Sequence, residues 1–153
     1  MTLLFAFLIG VLAGLRSLTP PAATAWAAHL GWLKLPRLLS WIGTTPAVVI
    51  FTVLALLELA SDKRPTAPRR TAPTPLIARI LMGAFAGTCL ATAGAQGAVL
   101  GVLLGGVGAV VGTFGGYQAR TRLVKALGTP DFVIAVLEDL LTIGGSLWFV
   151  SRF

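Results

Sequence analysis

The sequence predicts an all-α fold, a polytopic membrane helix bundle of about five spans that forms a single transmembrane domain over residues 1–153. Hydrophobic residues make up 56% of the chain, charged residues only 11%, and the mean hydropathy is +0.90. This is too little polar surface to cover a soluble domain of this length. Most of the protein surface is therefore expected to face lipid.

A glycine-rich run at residues 97–116 is the second observation behind this fold class. Glycine recurs there every four residues, at Gly97, Gly101 and Gly105 and again at Gly108, Gly112 and Gly116. Each glycine costs a water-exposed helix about 1 kcal/mol relative to alanine, whereas in lipid a glycine face allows a second helix to approach closely. We predict a helix of the glycine-zipper type on which the bundle packs. A homodimer through the glycine faces is a further expectation.

The first apolar segment, residues 3–15, is shorter than the ~20 residues that a straight span needs. After Arg16 come Pro20 and Pro21, and the chain is then apolar again as far as Leu33. Thr19 is suited to be an N-cap, with the two prolines in the first turn of a second half-helix. The sequence therefore predicts one helix with a break between Arg16 and Pro21. The pattern leaves open whether it spans the membrane or re-enters it.

Three further apolar segments follow, besides the glycine run, at residues 47–60, 76–91 and 133–150. Residues 65–75 are rich in proline, threonine and arginine, which is typical of a solvated linker. The order of features in the first element returns in the fourth, with residues 16–21 matching residues 113–118. Each of these two elements is followed by Thr-Pro and an apolar span.

We interpret the chain as two repeats of a broken helix plus a straight helix, residues 1–62 and 97–153. A linker and a separator helix, residues 63–96, lie between them. Because the separator crosses once, the two repeats are expected to be inverted relative to each other. The repeat predicts a second helix break, at Thr113–Tyr117.

Most of the basic residues fall into two regions that lie on the same side in a five-span model. These are the loop of residues 63–79 and the stretch that contains Arg120, Arg122 and Lys125. The positive-inside rule makes this side cytoplasmic in a multi-pass membrane protein. The net charge of +7 is explained by topology, so we expect no nucleic-acid partner.

Polar residues inside the apolar elements are the candidates for a functional site, because a carboxylate at the bilayer centre costs ~3 kcal/mol. The predicted substrate-binding residues surround the two breaks: Arg16, Ser17, Thr19, Thr113, Gly115, Gly116, Tyr117 and Arg120. The predicted ion-coupling residues are the acids Glu58, Asp62, Glu138 and Asp139. We expect Arg16 to lie within salt-bridge distance of Glu138 or Asp139. Glu58 and Asp62 are expected to meet Arg79 or Arg120.

Several of these stretches also resemble a known family. They are Gly14-Leu15-Arg16-Ser17 with Pro20-Pro21, Glu58, Asp62-Lys63 ahead of Pro65, Arg70-Thr71, Leu76 to Gly83, Gly112 to Tyr117 with Arg120, and Glu138-Asp139. Together they resemble the small bacterial membrane proteins grouped as domain of unknown function 4126, over nearly the whole chain. The resemblance implies an integral membrane protein. It brings no established activity or site.

Other chemistry finds little support in the sequence. His29 is the only histidine and Cys89 the only cysteine, so we expect neither a metal site nor a cofactor. The glycine run has no following Lys-Ser or Lys-Thr, which a phosphate-binding loop needs. We expect no enzymatic activity.

Two classes of function remain open. The first is a transporter or channel-like carrier with a polar site between two broken helices, which takes a small anionic substrate or protons. The second is a non-catalytic lipid-binding or scaffolding membrane protein, whose glycine faces serve only to pack helices. Membrane lipids are expected partners in both classes.

Overall fold

The computed structural model describes residues 1–61, 72–128 and 130–153. Within these residues the chain forms six α-helices, with a 3₁₀ turn at Ser40–Gly43 before the third. They are α1 (Thr2–Leu15), α2 (Thr19–His29), α3 (Thr45–Ser61), α4 (Pro73–Ala93), α5 (Ala98–Leu127) and α6 (Asp131–Val150). By length and composition α4, α5 and α6 can cross a membrane, while α1 and α3 are shorter apolar helices. The described residues form an all-helical fold with three helices that could span a membrane, in line with the predicted class, while the number of about five spans stays a prediction.

The first two helices form a hairpin. The ring of Phe5 in α1 lies 5.4 Å from that of Phe149 and 6.3 Å from that of Phe153. Ala27 near the end of α2 shares a hydrophobic cluster with Ile9 and Val150. The start of α1 and the end of α2 therefore lie at the same end of the bundle as the C-terminus. We call this the terminal end, and we call the opposite end, where α5 finishes, the basic end.

In the bundle α2 returns towards the terminal end, so α1 and α2 together do not run from one end of the bundle to the other. With 14 residues, α1 is about 21 Å long, or two thirds of a hydrocarbon core of ~30 Å. The predicted break is present: Arg16 has an extended backbone, and Pro20 and Pro21 lie in the first turn of α2. The prediction that Thr19 is the N-cap is wrong. Thr19 is the first helical residue of α2, and Leu18 precedes it as the cap.

The prediction of a second helix break at Thr113–Tyr117 is wrong. Helix α5 runs without interruption through this segment, from Ala98 to Leu127. The first break contains two prolines, which lack the N–H group that a continuing helix needs, and the second segment contains none. Its glycines lower helix propensity only, and packing against neighbouring helices offsets that cost. The predicted inverted repeat is therefore not confirmed, since the structure has only one of its two broken helices.

Four glycines of α5 face α1 or α4 of the same chain, namely Gly101, Gly105, Gly108 and Gly112. A Cβ atom at Gly105 would lie 2.2 Å from the backbone oxygen of Gly83 in α4, and one at Gly112 would lie 2.0 Å from that of Val11 in α1. A Cβ atom at Gly10 in α1 would lie 2.2 Å from the oxygen of Gly105. These separations leave no room for any side chain. The close approach of three helices therefore depends on glycine at these positions.

We predict that Gly112→Leu destabilises the folded protein in detergent by about 3 kcal/mol or more, because Val11 cannot move away without shifting the α1 backbone. Thermal unfolding followed by circular dichroism measures the change. The matched control is Gly144→Leu in α6, since a Cβ atom at Gly144 has nothing within 4 Å. Equal unfolding temperatures for the two variants would contradict the role of the glycine face.

Candidate functional site at the hairpin tip

Arg16, at the tip of the α1–α2 hairpin, forms an ion pair with Asp139 in the middle of α6. Its Nε donates a hydrogen bond of 2.7 Å to Asp139 Oδ1, and its Nη2 lies 2.5 Å from the same oxygen. The Arg16 side chain is 0% exposed and that of Asp139 only 11%. The predicted pairing of Arg16 with an acid of the last span is confirmed. The helix break provides it, because it leaves Arg16 extended at the point where α6 passes.

Glu58, near the end of α3, binds the backbone of the same hairpin tip. Its carboxylate accepts hydrogen bonds of 2.8 Å from the backbone N–H groups of Ser17 and Leu18, and another from the Ser17 hydroxyl. Ending α1 and starting α2 frees these N–H groups from helical hydrogen bonding. The sequence analysis expected Glu58 to meet Arg79 or Arg120 and did not foresee the backbone of Ser17 and Leu18 as its partner. These N–H groups belong to the start of α2, where a negative charge is favourable.

A second group of charges links α5 to the first half of α6. The Arg120 guanidinium binds both oxygens of Asp131, and its Nη1 lies 3.4 Å from Glu138 Oε2. The Asp131 side chain is 64% exposed, whereas that of Glu138 is only 9% exposed. Asp131 was not among the predicted site residues. Its place after Pro130, in the first turn of α6, is the signal that could have identified it.

The buried face of α6 carries a series of polar residues. Asp139, Thr142 and Ser146 are spaced by three and four residues, so they lie on one face, and all three residues are buried. The Thr142 hydroxyl donates to the backbone oxygen of Glu138, while Ser146 Oγ has no hydrogen-bond partner among the described residues. With Glu138 and Asp131, this series extends along most of α6. The sequence analysis did not include Thr142 and Ser146 in the site.

Two open grooves adjoin the hairpin tip. The first, about 370 Å³, separates α5 from α6 and runs from Leu15 and Gly115 towards Leu123 at the basic end. The second, about 380 Å³, lies between α2, α3 and α6 and runs from Thr19 towards Trp32 at the terminal end. Both are lined mainly by apolar side chains.

The remaining predicted residues lie in three places: beside the hairpin tip, on the exposed surface of α5, and along the α5–α6 groove. Ser17 and Thr19 lie at the tip with Arg16, and Thr19 Oγ1 is buried without a hydrogen-bond partner among the described residues. Thr113 is also buried next to the hairpin, and its hydroxyl bonds to the backbone oxygens of Ala109 and Gly14. Gly115 and Tyr117, by contrast, are exposed on α5 away from the ion pair. Gly116 contacts Leu15 and lines the α5–α6 groove with Arg120.

Two further observations concern residues near this site. Asp62 and the linker up to residue 71 lie outside the described residues, so the role predicted for Asp62 stays a prediction. Arg79, which the sequence analysis expects to meet Glu58 or Asp62, is 4% exposed within α4. In the described parts of the chain, no three or more His, Cys, Asp or Glu residues are grouped so that they could hold a metal ion.

A comparison with protein families finds one match over nearly the whole chain. The family model described as "Domain of unknown function (DUF4126)" matches residues 3–151. No curated protein and no solved structure matches the sequence. The function therefore has to be argued from the arrangement of the residues themselves.

We predict that Arg16→Ala destabilises the protein by about 3–5 kcal/mol, because it leaves the Asp139 carboxylate buried without its cation. The double variant Arg16→Ala/Asp139→Asn is expected to recover part of this loss, since the cost lies in the unpaired charge. Unfolding in detergent of the wild type, both single variants and the double variant gives the coupling energy. Additive effects of the two changes would contradict a direct pair.

We predict a smaller loss, about 1–2 kcal/mol, for Glu58→Gln, because an amide retains one acceptor oxygen but loses the charge that strengthens the bonds to Ser17 and Leu18. Hydrogen exchange of the Leu18 amide measures the local effect. We expect faster exchange there than in the wild type, while amides at the terminal end stay protected. Unchanged exchange at Leu18 would show that Glu58 does not hold the tip.

Proposed function

The chain belongs to the family of domain of unknown function 4126, and for this member we propose a small membrane carrier that moves protons, with a small anion as co-substrate. The observation that supports this proposal most directly is the polar series along α6. It extends from the exposed Asp131 through Glu138 and Asp139 to the buried Ser146. Ionisable residues at membrane depth commonly mark proton or ion pathways.

The hairpin adds a second argument. A helix break inside a membrane is tolerated only where protein or water satisfies the freed backbone groups. In this chain Glu58 binds two of those groups, and Arg16 presents a fixed positive charge at the same depth. Broken helices of this kind form the substrate sites of many transporters.

The proposed mechanism starts with proton transfer to Asp139. A neutral Asp139 no longer balances the charge of Arg16, so Arg16 becomes available to a small anion. Ser17 and Thr19 are the nearest hydroxyl donors along the chain, and Thr19 lines the groove that opens to the terminal end. The proton then passes to Glu138, the residue that precedes Asp139 in the chain. From there it moves towards Asp131 at the basic end. Return of the charge on Asp139 displaces the anion and restores the ion pair.

We propose that the basic end is cytoplasmic, in a multi-pass protein of a bacterial inner membrane. Arg122 and Lys125 are exposed at this end. The sequence from residue 63 to residue 79, which the positive-inside argument also uses, is likewise rich in basic residues. All four tryptophans lie towards the other end and are about half exposed, which is typical of a membrane interface: Trp26, Trp32, Trp41 and Trp148. In this arrangement α3 to α6 cross the membrane and the α1–α2 hairpin is re-entrant.

The competing class is a scaffolding or lipid-binding protein in which the same charges only hold helices together. The glycines at the centre of α5 are already covered by α1 and α4, so they serve packing within the chain in either case. No catalytic role is proposed, and a homodimer stays a prediction. The two classes differ in one measurable property, the movement of protons through the protein.

We predict that purified protein in liposomes takes up protons under a potassium-driven membrane potential, measured with an enclosed pH-sensitive dye. Asp139→Asn is expected to reduce the rate at least about tenfold, because it removes the proton acceptor at the tip. The matched control is Gln118→Leu, which removes an exposed polar side chain of α5 that the proposed path does not use, and it should keep most of the rate. Adding chloride, phosphate or acetate in turn tests for an anionic co-substrate.

Wild-type liposomes with no more proton uptake than empty liposomes would contradict the carrier and favour the scaffold. Equal rates for Asp139→Asn and the wild type would show that any flux does not pass through the hairpin tip. Each variant is first checked for folding by size-exclusion chromatography, because loss of the ion pair also lowers stability.

A further inference from the structure

The loop between α2 and α3, residues 30–44, lies at the terminal end of the bundle, and we call it the terminal loop. Its inward side chains belong to the hydrophobic clusters of the bundle. Leu33 shares one cluster with Val150 of α6, and Ile42 shares another with Ala25 of α2. Leu33 and Ile42 are both buried. The terminal loop is thus held against the bundle at two points, which fixes the side that it exposes.

The exposed side of the terminal loop combines apolar, aromatic and basic side chains. Leu38 is 85% exposed, and Trp32 and Trp41 are about half exposed. Lys34 and Arg37 lie between the two tryptophans in the sequence, and both are exposed. Large apolar side chains next to Lys and Arg are typical of segments that lie in the plane of a membrane interface. The terminal loop is therefore suited to the boundary between acyl chains and headgroups.

The acidic side chains of the protein lie away from the terminal loop. All five of them fall at the hairpin tip, directly after α3 or in the first half of α6: Glu58, Asp62, Asp131, Glu138 and Asp139. The four that the structure describes bind the hairpin tip, Arg16 or Arg120. They are therefore not available to pair with Lys34 or Arg37. A third cation of the terminal end, Arg152, stacks on the ring of Trp148 at 4.8 Å.

The two cations of the terminal loop run against the proposed topology. With the basic end in the cytoplasm, the positive-inside rule disfavours Lys and Arg in short loops on the opposite side. Yet Lys34 and Arg37 lie three positions apart there, and no acid precedes Glu58 in the chain. Packing does not require these two side chains either, because both are exposed. Exposed cations that neither packing nor topology explains indicate an anionic partner outside the chain.

We propose that the terminal loop is a binding surface for anionic phospholipid headgroups in the leaflet next to the terminal end. Lys34 and Arg37 contact the lipid phosphate, where Arg forms two parallel hydrogen bonds and Lys acts as a point charge. Leu38 and the flanking tryptophans contact the upper part of the acyl chains. The surface does not depend on the proposed transport, because none of its residues belongs to the hairpin tip.

Quenching of tryptophan fluorescence by phospholipids with brominated acyl chains tests this surface. It reports on lipids at the terminal end, because all four tryptophans of the chain lie towards that end. The full chain is reconstituted in vesicles of phosphatidylglycerol and phosphatidylcholine, with each lipid brominated in turn. The ratio of the two quenching curves gives the relative affinity. We expect the wild type to prefer phosphatidylglycerol at least about fivefold, since two cations act on its headgroup.

Two matched variants separate a local site from the net charge of the protein. Lys34→Gln/Arg37→Gln is expected to lower the preference to about one, because phosphatidylcholine then competes equally. Arg122→Gln/Lys125→Gln is the control, since it removes one Arg and one Lys that are also exposed and three positions apart, but at the basic end. It should keep the preference of the wild type. Circular dichroism checks that both variants are folded.

Three results would overturn the proposal. The first is equal quenching of the wild type by the two brominated lipids. The second is a preference that survives Lys34→Gln/Arg37→Gln. The third is an equal loss of preference in Arg122→Gln/Lys125→Gln, because net charge alone would then explain the binding. Proton uptake in liposomes is a separate measurement, so its failure would leave this result unaffected.

Discussion

The buried ion pair between Arg16 and Asp139 is the interaction on which the rest of the structure depends. It joins two residues 123 positions apart in the sequence, one at the hairpin tip and one in the middle of α6. In a low-dielectric interior each charge alone is strongly unfavourable, so the two elements must stay together. The pair fixes the depth of the tip relative to α6. That depth in turn brings Glu58 to the backbone of Ser17 and Leu18.

The pair can form only because the glycines of α5 bring α1 so close. Without a hydrophobic driving force between helices in lipid, the association depends on van der Waals contact and on buried hydrogen bonds. The contacts of Gly105 with α4 and of Gly112 with α1 leave no space for side chains. Thr113 adds a hydrogen bond to the backbone oxygen of Gly14, two residues before Arg16. Close packing along α1 therefore determines where Arg16 is placed.

The sequence predicts those features that depend on a single kind of residue in a recognisable sequence context. A lone cation after an apolar half-helix requires an acid at matching depth, and this reasoning finds the pair between Arg16 and Asp139. Two adjacent prolines end a helix, and this reasoning finds the first break. The prediction of a second break fails because glycine has two opposite effects. It weakens a helix in water but strengthens helix packing in lipid, and which effect dominates depends on the neighbouring helices.

Two other features could not be predicted for a different reason. The partners of Glu58 are backbone N–H groups, and every residue but proline has one, so no residue type indicates them. The direction of α2 after the break is also unspecified by composition, since a continued span and a hairpin bury similar apolar residues. The packing of Ala27 in α2 beside Ile9 and Val150 settles the direction. That contact is formed by ordinary apolar residues far apart in the chain.

The two anchors of the hairpin tip differ in chemistry, and this difference matters for the proposed carrier. The Arg16–Asp139 pair depends on an ionised Asp139, whereas Glu58 holds the backbone of Ser17 and Leu18 through bonds that Asp139 does not share. Proton transfer to Asp139 thus releases one anchor and leaves the other in place. A site with a single anchor would lose the hairpin whenever the pair opened. With two anchors, opening the pair changes the charge at the tip while the fold around it is kept.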